Sequence, residues 1–184
     1  IILSLFLFSF TVISCSDEKE ESTENSGTTS NTVDDTTKFV GVGESVTIVR
    51  STDNGSSFDN VTSPTSNHLW GVGFGNNTFV GVGTSGTIVR STDNGSSFST
   101  VTSPTSNDLR GVGFGNNTFL GVGTSGTIVR STDNGSSFDN VTFPTSSTLW
   151  GVGFGYNTFV AVGESGAIVR STDNGSSFDL SFLH

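Results

Sequence analysis

From Leu69 onward the chain alternates short apolar runs with clusters of Gly, Asn, Ser and Thr. Leu69–Phe74 sets Trp70, Val72 and Phe74 against Leu69, Gly71 and Gly73, a period of two that predicts a strand. Gly75-Asn76-Asn77 predicts a turn, Phe79–Gly83 a second strand, Thr84-Ser85-Gly86 another turn, and Thr87–Ser91 a third strand with Ile88 and Arg90 opposite Val89. Asn94-Gly95 then predicts a two-residue hairpin, because both residues tolerate positive φ. A fourth strand runs from Phe98 to Val101, and Pro104 in the following link has no amide hydrogen to give to a ladder.

This unit recurs. Ser-Thr-Asp-Asn-Gly-Ser-Ser-Phe stands at Ser51–Phe58, Ser91–Phe98, Ser131–Phe138 and Ser171–Phe178, each copy forty residues after the last. A period near forty with four short strands predicts an all-β array, a β-propeller of four-stranded antiparallel blades. Glycines at 71, 73, 81 and 83 would let a neighbouring sheet approach closely. Residues 39–184 divide into repeats 39–68, 69–108, 109–148 and 149–184, the first holding only the last three strands of a blade. The count gives a partial propeller, to be completed by further blades of a longer gene product or by a homodimer closing the ring. A β-solenoid spacer or adhesin is the alternative architecture, and the hairpin turns argue against its parallel strands.

The segment before Phe39 is different. Residues 1–14 form an apolar stretch too short to span a bilayer but of the right length for a secretory signal, and its missing basic start implies a truncated signal. Val12-Ile13-Ser14-Cys15 resembles the lipobox of bacterial lipoproteins, which implies lipidation of Cys15, the only cysteine. Residues 15–38 are acidic and rich in Ser and Thr, with too few apolar side chains for a core, and predict a solvated tether. Together these imply an exported protein held at the bacterial outer membrane or cell surface, with the periplasm as the alternative. The membrane is then a partner only through the lipid.

The net charge of −10 falls equally on both parts. Seven acids and two lysines precede Phe39, and the repeats carry ten acids and five arginines. No basic patch is available for nucleic acid.

The repeated string resembles the Asp-box, or BNR repeat, in the form Ser-x-Asp-x-Gly-x-x-Phe with Phe in place of the usual Trp. The longer string Val82–Asp93 is most similar to the photosystem II stability and assembly factor branch of that family, and the likeness extends over residues 39–178. It implies a propeller in which the box is a structural hairpin between the third and fourth strands of each blade. The residues concerned are Ser51, Asp53, Gly55 and Phe58; Ser91, Asp93, Gly95 and Phe98; Ser131, Asp133, Gly135 and Phe138; and Ser171, Asp173, Gly175 and Phe178. Four identical carboxylates in four equivalent turns do not converge on a substrate, so no catalytic residue is assigned.

Other chemistry finds little support. Gly81–Gly86 matches a dinucleotide fingerprint by letter, yet a β-branched strand follows it where a phosphate cradle needs a helix. His68 and His184 are the only histidines, so no metal or cofactor is expected. A sialidase needs converging arginines and a tyrosine nucleophile, whereas Arg50, Arg90, Arg130 and Arg170 recur once per blade and Tyr156 is the sole tyrosine. A sialidase-like hydrolase with catalytic residues beyond this chain is the rival reading. The candidate binding residues are those that break the repeat: His68, Trp70, Asp108, Arg110, Trp150 and Tyr156, with Phe143 at the phase of Ser63 and Ser103. They suggest a non-enzymatic binding or assembly scaffold for a protein or glycan.

Overall fold

Each apolar run forms a strand, and the turns between them close antiparallel hairpins. The computed structural model describes residues 38–142 and 146–181. The first sheet holds β1 (Phe39–Val42), β2 (Ile48–Ser51) and β3 (Asp59–Asn60), and the second β4 (Leu69–Gly75), β5 (Thr78–Gly83), β6 (Ile88–Ser91) and β7 (Ser99–Val101). The third is β8 (Leu109–Gly115), β9 (Thr118–Gly123), β10 (Ile128–Ser131) and β11 (Asp139–Val141). The fourth is β12 (Leu149–Gly155), β13 (Thr158–Gly163), β14 (Ile168–Ser171) and β15 (Asp179–Ser181). Strand order follows chain order in every sheet, so the sheets are the meander blades of a β-propeller arc. The Cys15 segment, the tether up to Thr37, Phe143 and His184 lie outside the described residues.

One departure from the expected alternation matters for function. Leu69 pairs with Gly83 and Gly71 with Val82, so Trp70 is the extra residue of a β-bulge. The bulge turns Leu69 to the same side as Val72, and both join one buried cluster, where strict alternation would place them on opposite faces. The register shifts identically at Arg110 and Trp150.

The core lies between sheets, not within them. Val80, Val82 and Ile88 of the second sheet pack against Leu109, Val112, Phe119, Val129 and Phe138 of the third. Leu120, Val122 and Ile128 meet Leu149, Phe159, Ala161, Val169 and Phe178 of the fourth in the same way. The first interface repeats this with Val40, Val42 and Ile48 against Leu69, Val72, Phe79 and Val89, with Phe98 packed against them. A buried Val, Leu, Ile or Phe is worth about 1.5–3 kcal/mol, so these three seams carry the stability of the arc.

Glycine sets how closely the inner strands approach. A Cβ on Gly71 would stand 3.2 Å from Gly111 Cα, and one on Gly113 3.0 Å from the Val152 carbonyl oxygen. Beside Gly75 and Gly115 the rings of Phe114 and Phe154 occupy the space outright. Gly81 and Gly83 act differently: they make room for Val89 and for the His68 backbone within their own blade.

Candidate functional site

The repeated octapeptide builds a closed hydrogen-bond system in each blade. In the second sheet Ser91 Oγ donates to Asp93 Oδ1 at 2.7 Å and accepts from Gly95 N at 2.9 Å. Ser97 donates its main-chain N–H to Oδ1 at 3.0 Å and its hydroxyl to Oδ2 at 2.6 Å. Asn94 and Gly95 have φ of 58° and 78°, the paired positive values of a tight turn, but Arg90 pairs with Ser99, so the turn tips a longer loop and is not the two-residue hairpin expected from the sequence. The Ser97 hydroxyl, with its amide and the Ser91 hydroxyl, holds the Asp93 carboxyl at about 2, below its ordinary 3.8. Asp53 and Asp173 are lowered to about 2 by the equivalent serines, Ser57 and Ser177 foremost. At Asp133 burial pushes upward, and the bonds from Ser137 and Ser131 outweigh it, again leaving about 2. Carboxylates so fully bonded and so acidic hold a turn; they neither store a proton nor attack a substrate at neutral pH.

The same turns fasten neighbouring blades. Arg50 Nε donates to Asn94 O at 2.7 Å, Arg90 Nε to Asn134 O at 2.8 Å and Arg130 Nε to Asn174 O at 2.8 Å. Asn134 and Asn174 return the contact through Nδ2, to Thr78 Oγ1 and Thr118 Oγ1, both at 2.7 Å. Arg50, Arg90 and Arg130 are thus fasteners between blades. The signal in the sequence is their constant separation of 44 residues from the Asn of the next octapeptide.

A cleft of about 480 Å³ lies between the octapeptide turns of the third and fourth sheets, lined by Arg130, Asp133, Ser137 and Ser176 among others. Two of its charged groups are already engaged, Arg130 by Asn174 and Asp133 by Ser131 and Ser137. The smaller hollow at the start of the inner strands, about 130 Å³, is lined by Trp70, Arg110, Trp150 and the Gly-Val pairs that follow them. We place the candidate site there.

Three successive bulges deliver these side chains to one place. The Arg110 guanidinium carbon lies 5.2 Å from the Trp70 ring centre and 5.5 Å from that of Trp150, a Trp–Arg–Trp ladder within cation–π range. Asp108 Oδ2 accepts from Arg110 Nη2 at 2.9 Å and balances the charge. The His68 ring stands 5.6 Å from Trp70. Trp150 is 50 % exposed, so the outer face of the ladder is open. Trp70 Nε1 and Arg110 Nε are both buried and have no acceptor among the described residues.

Five of the six phase-breaking residues therefore meet, in two roles. His68 Nδ1 accepts the Ser45 amide at 3.0 Å, and Asp108 Oδ1 accepts the Ser85 amide at 2.9 Å, so each ties its blade to the preceding one. Trp70, Arg110 and Trp150 form the surface. Tyr156 stands apart: it is fully exposed in the turn between β12 and β13, at the opposite end of the inner strand from Trp150. That is the end of the octapeptides, where Asn134 bonds Thr78 beside the equivalent Asn76–Asn77 turn. Among the described residues no three His, Cys, Asp or Glu side chains converge.

No known protein family matches the sequence, and no curated protein does. Solved structures do match in shape. YCF48 bound to D1 peptide superposes with a TM-score of 0.63 at 19% identity, over 78% of this chain and 50% of that one. YCF48 from Cyanidioschyzon merolae gives 0.62 at 16% identity, over 80% and 52%. An ancestral GH74 enzyme gives 0.62 at 22% identity, over 77% of this chain and 22% of that one. The chain spans about half the length of the YCF48 structures. At these identities the likeness establishes architecture: the chain has the β-propeller fold, of the kind that YCF48 displays.

Proposed function

We propose that this protein is a non-enzymatic binding scaffold whose recognition surface is the Trp70–Arg110–Trp150 ladder. The observation that carries the reading is the coincidence of variation and geometry: near-identical repeats differ at three bulges, and those bulges stack side by side. An open indole face beside a guanidinium and two unpaired buried donors favours a ligand with flat apolar groups and carbonyl or carboxylate oxygens. An extended peptide segment of a protein partner fits this chemistry, and the peptide complex of YCF48 is a precedent within the same fold. The sequence supports placing the scaffold outside the cytoplasm, lipid-anchored through Cys15. Fatty-acid labelling that persists in a Cys15→Ala variant would remove the anchor from the reading.

The test is a binding screen of the full chain against peptide and glycan arrays, followed by titration of the hits. Arg110→Ala and Trp150→Ala should each weaken the selected peptide about tenfold or more, a loss of 1.4 kcal/mol or greater. Binding that survives both changes would place recognition elsewhere. Selection of glycans alone would replace the protein partner by a saccharide. The GH74 likeness gives the hydrolase reading its own check: turnover of fluorogenic glycosides by the chain would overturn the scaffold.

A further inference from the structure

The turn between β1 and β2 and its counterpart between β5 and β6 share one backbone form, with Ser45 and Ser85 both at φ +54°. Each turn lends its serine amide to the next blade, but the acceptors differ in chemistry. Ser45 N donates to His68 Nδ1 at 3.0 Å, and Ser85 N donates to Asp108 Oδ1 at 2.9 Å. A carboxylate keeps its lone pairs through the range in which histidine changes charge, whereas an imidazole nitrogen accepts with a lone pair that a proton removes. A proton on Nδ1 would set a second N–H in front of the Ser45 amide, and two donors repel. At the third junction this phase holds Thr148, which does not titrate. The charged ring has a second partner at hand. The His68 and Trp70 ring centres are 5.6 Å apart and the planes tilt by 33°, within reach of a cation–π contact. The charged groups on the elements packed around the ring are Glu44, in the Ser45 turn, and Arg110, over Trp70 and paired with Asp108.

We propose that the junction of the first two blades is an acid-responsive joint: neutral His68 holds the Ser45 turn, and protonated His68 lets the turn go and rests on Trp70. The bonded form is the neutral one, so the contact is present at higher pH and is lost as pH falls. The release is local. Leu69 N still donates to Gly43 O at 3.2 Å across the same junction, and Val40, Val42 and Ile48 stay packed against Leu69 and Val72. Because the Trp70 contact replaces the Ser45 bond, overall stability changes little while the turn at 44–47 gains freedom. The next junction, closed by Asp108, stays shut. The joint lies at the His68 end of the Trp70–Arg110–Trp150 ladder and stands whatever the ladder binds.

Amide NMR of the full chain between about pH 7.5 and pH 5, the window in which histidine changes charge, tests this. The Ser45 amide proton should move upfield with the midpoint of the His68 ring. Its exchange with water, taken relative to that of Ser85, should rise about fivefold or more, as the loss of one hydrogen bond implies. The Ser85 amide should not respond at that midpoint. His68→Asp, which installs the acceptor of the next repeat, should keep the Ser45 amide bonded at both ends of the window. His68→Ala should show a released Ser45 amide already at the upper end. A Ser45 amide that follows Ser85 throughout, while the His68 ring titrates, overturns the proposal, and so does a ring that does not titrate in the window. A Ser45 response that survives His68→Asp also overturns it, because another group such as Glu44 would then be the source.

Discussion

Arg90 of one blade and Asn134 of the next, 44 residues apart, are joined by a 2.8 Å bond from Nε to the main-chain oxygen. The arginine stem also lies against Gly135, so the bond seals the edge of an apolar seam. Arg90→Ala should lower the stability of the arc by about 1–2 kcal/mol, the range for a hydrogen bond to a charged group with partial exposure. Arg170→Ala, whose side chain has no partner among the described residues, should change the stability of this chain by less than about 0.5 kcal/mol. Urea unfolding at sub-micromolar concentration compares the two; equal losses would refute the role of the pair in the seam.

The inner-strand glycines give a sharper comparison within one sequence position. Gly113 faces the Val152 carbonyl oxygen, and its counterpart Gly153 faces open space. Gly113→Val should cost about 1–3 kcal/mol by overpacking, because the neighbour is backbone and cannot turn aside. Gly153→Val should be neutral or slightly stabilising, since a β-branched residue suits a strand. Thermal melts of the two variants decide it.

The octapeptide carboxylates predict an acid transition. Their folded pKa values, about 2 at Asp53, Asp93, Asp133 and Asp173, lie below the ordinary 3.8. A depressed pKa means that the unfolded chain binds more protons, so the stability these groups contribute is complete above the ordinary value and is lost as pH falls through the folded one. Melting temperature should be flat down to about pH 5 and then drop between about pH 4 and pH 2. Ser97→Ala removes the foremost donor to Asp93, so it should raise that pKa and flatten the decline. A profile with no slope in this window would show that the turns do not couple to folding.

The architecture was legible because it rests on local chemistry repeated four times. Strand runs and the strand count of the first repeat follow from residue type and spacing, whereas the two-residue hairpin expected at Asn94-Gly95 is only the tip of a longer loop, because the Ser91–Asp93–Ser97 bonds hold the chain off the ladder until Ser99. The bulge at Trp70 was not, because it adds a residue without altering the apolar letters; only the pairing of Leu69 with Gly83 reveals it. The same holds for the site. Variation at positions 70, 110 and 150 was visible, yet period-two reasoning set Leu69 opposite Val72 and gave no reason for three variable residues to meet. Tyr156 shows the converse limit: phase-breaking marked it, and six residues of extended strand carry it roughly 20 Å from Trp150.

Tyr156 also occupies backbone that suits another residue. Its φ is +49°, in a turn where Asn76 and Asn116 hold +47° and +48°. Left-handed backbone costs a bulky L-residue about 1–2 kcal/mol, and Asn tolerates it better. The ring recovers nothing by burial, being fully exposed. Tyr156→Asn should therefore raise stability by about 0.5–1 kcal/mol, read from the unfolding midpoint. A loss would mean that the ring makes contacts worth more than the strain.

The two tryptophans of the chain are both in the ladder, which makes it directly observable. Trp150 is half exposed, whereas Trp70 has its Nε1 buried and one side covered by Arg110. A Trp70→Phe variant, reporting only Trp150, should be quenched by acrylamide more steeply than a Trp150→Phe variant, reporting only Trp70. A peptide that binds the open face should shield Trp150 and leave the weak quenching of Trp70 nearly unchanged. Arg110→Ala should open Trp70 to the quencher, because the guanidinium is what separates the two rings. Equal quenching of both single-tryptophan variants would contradict the ladder, and an unshielded Trp150 at saturating peptide would move the binding surface away from it.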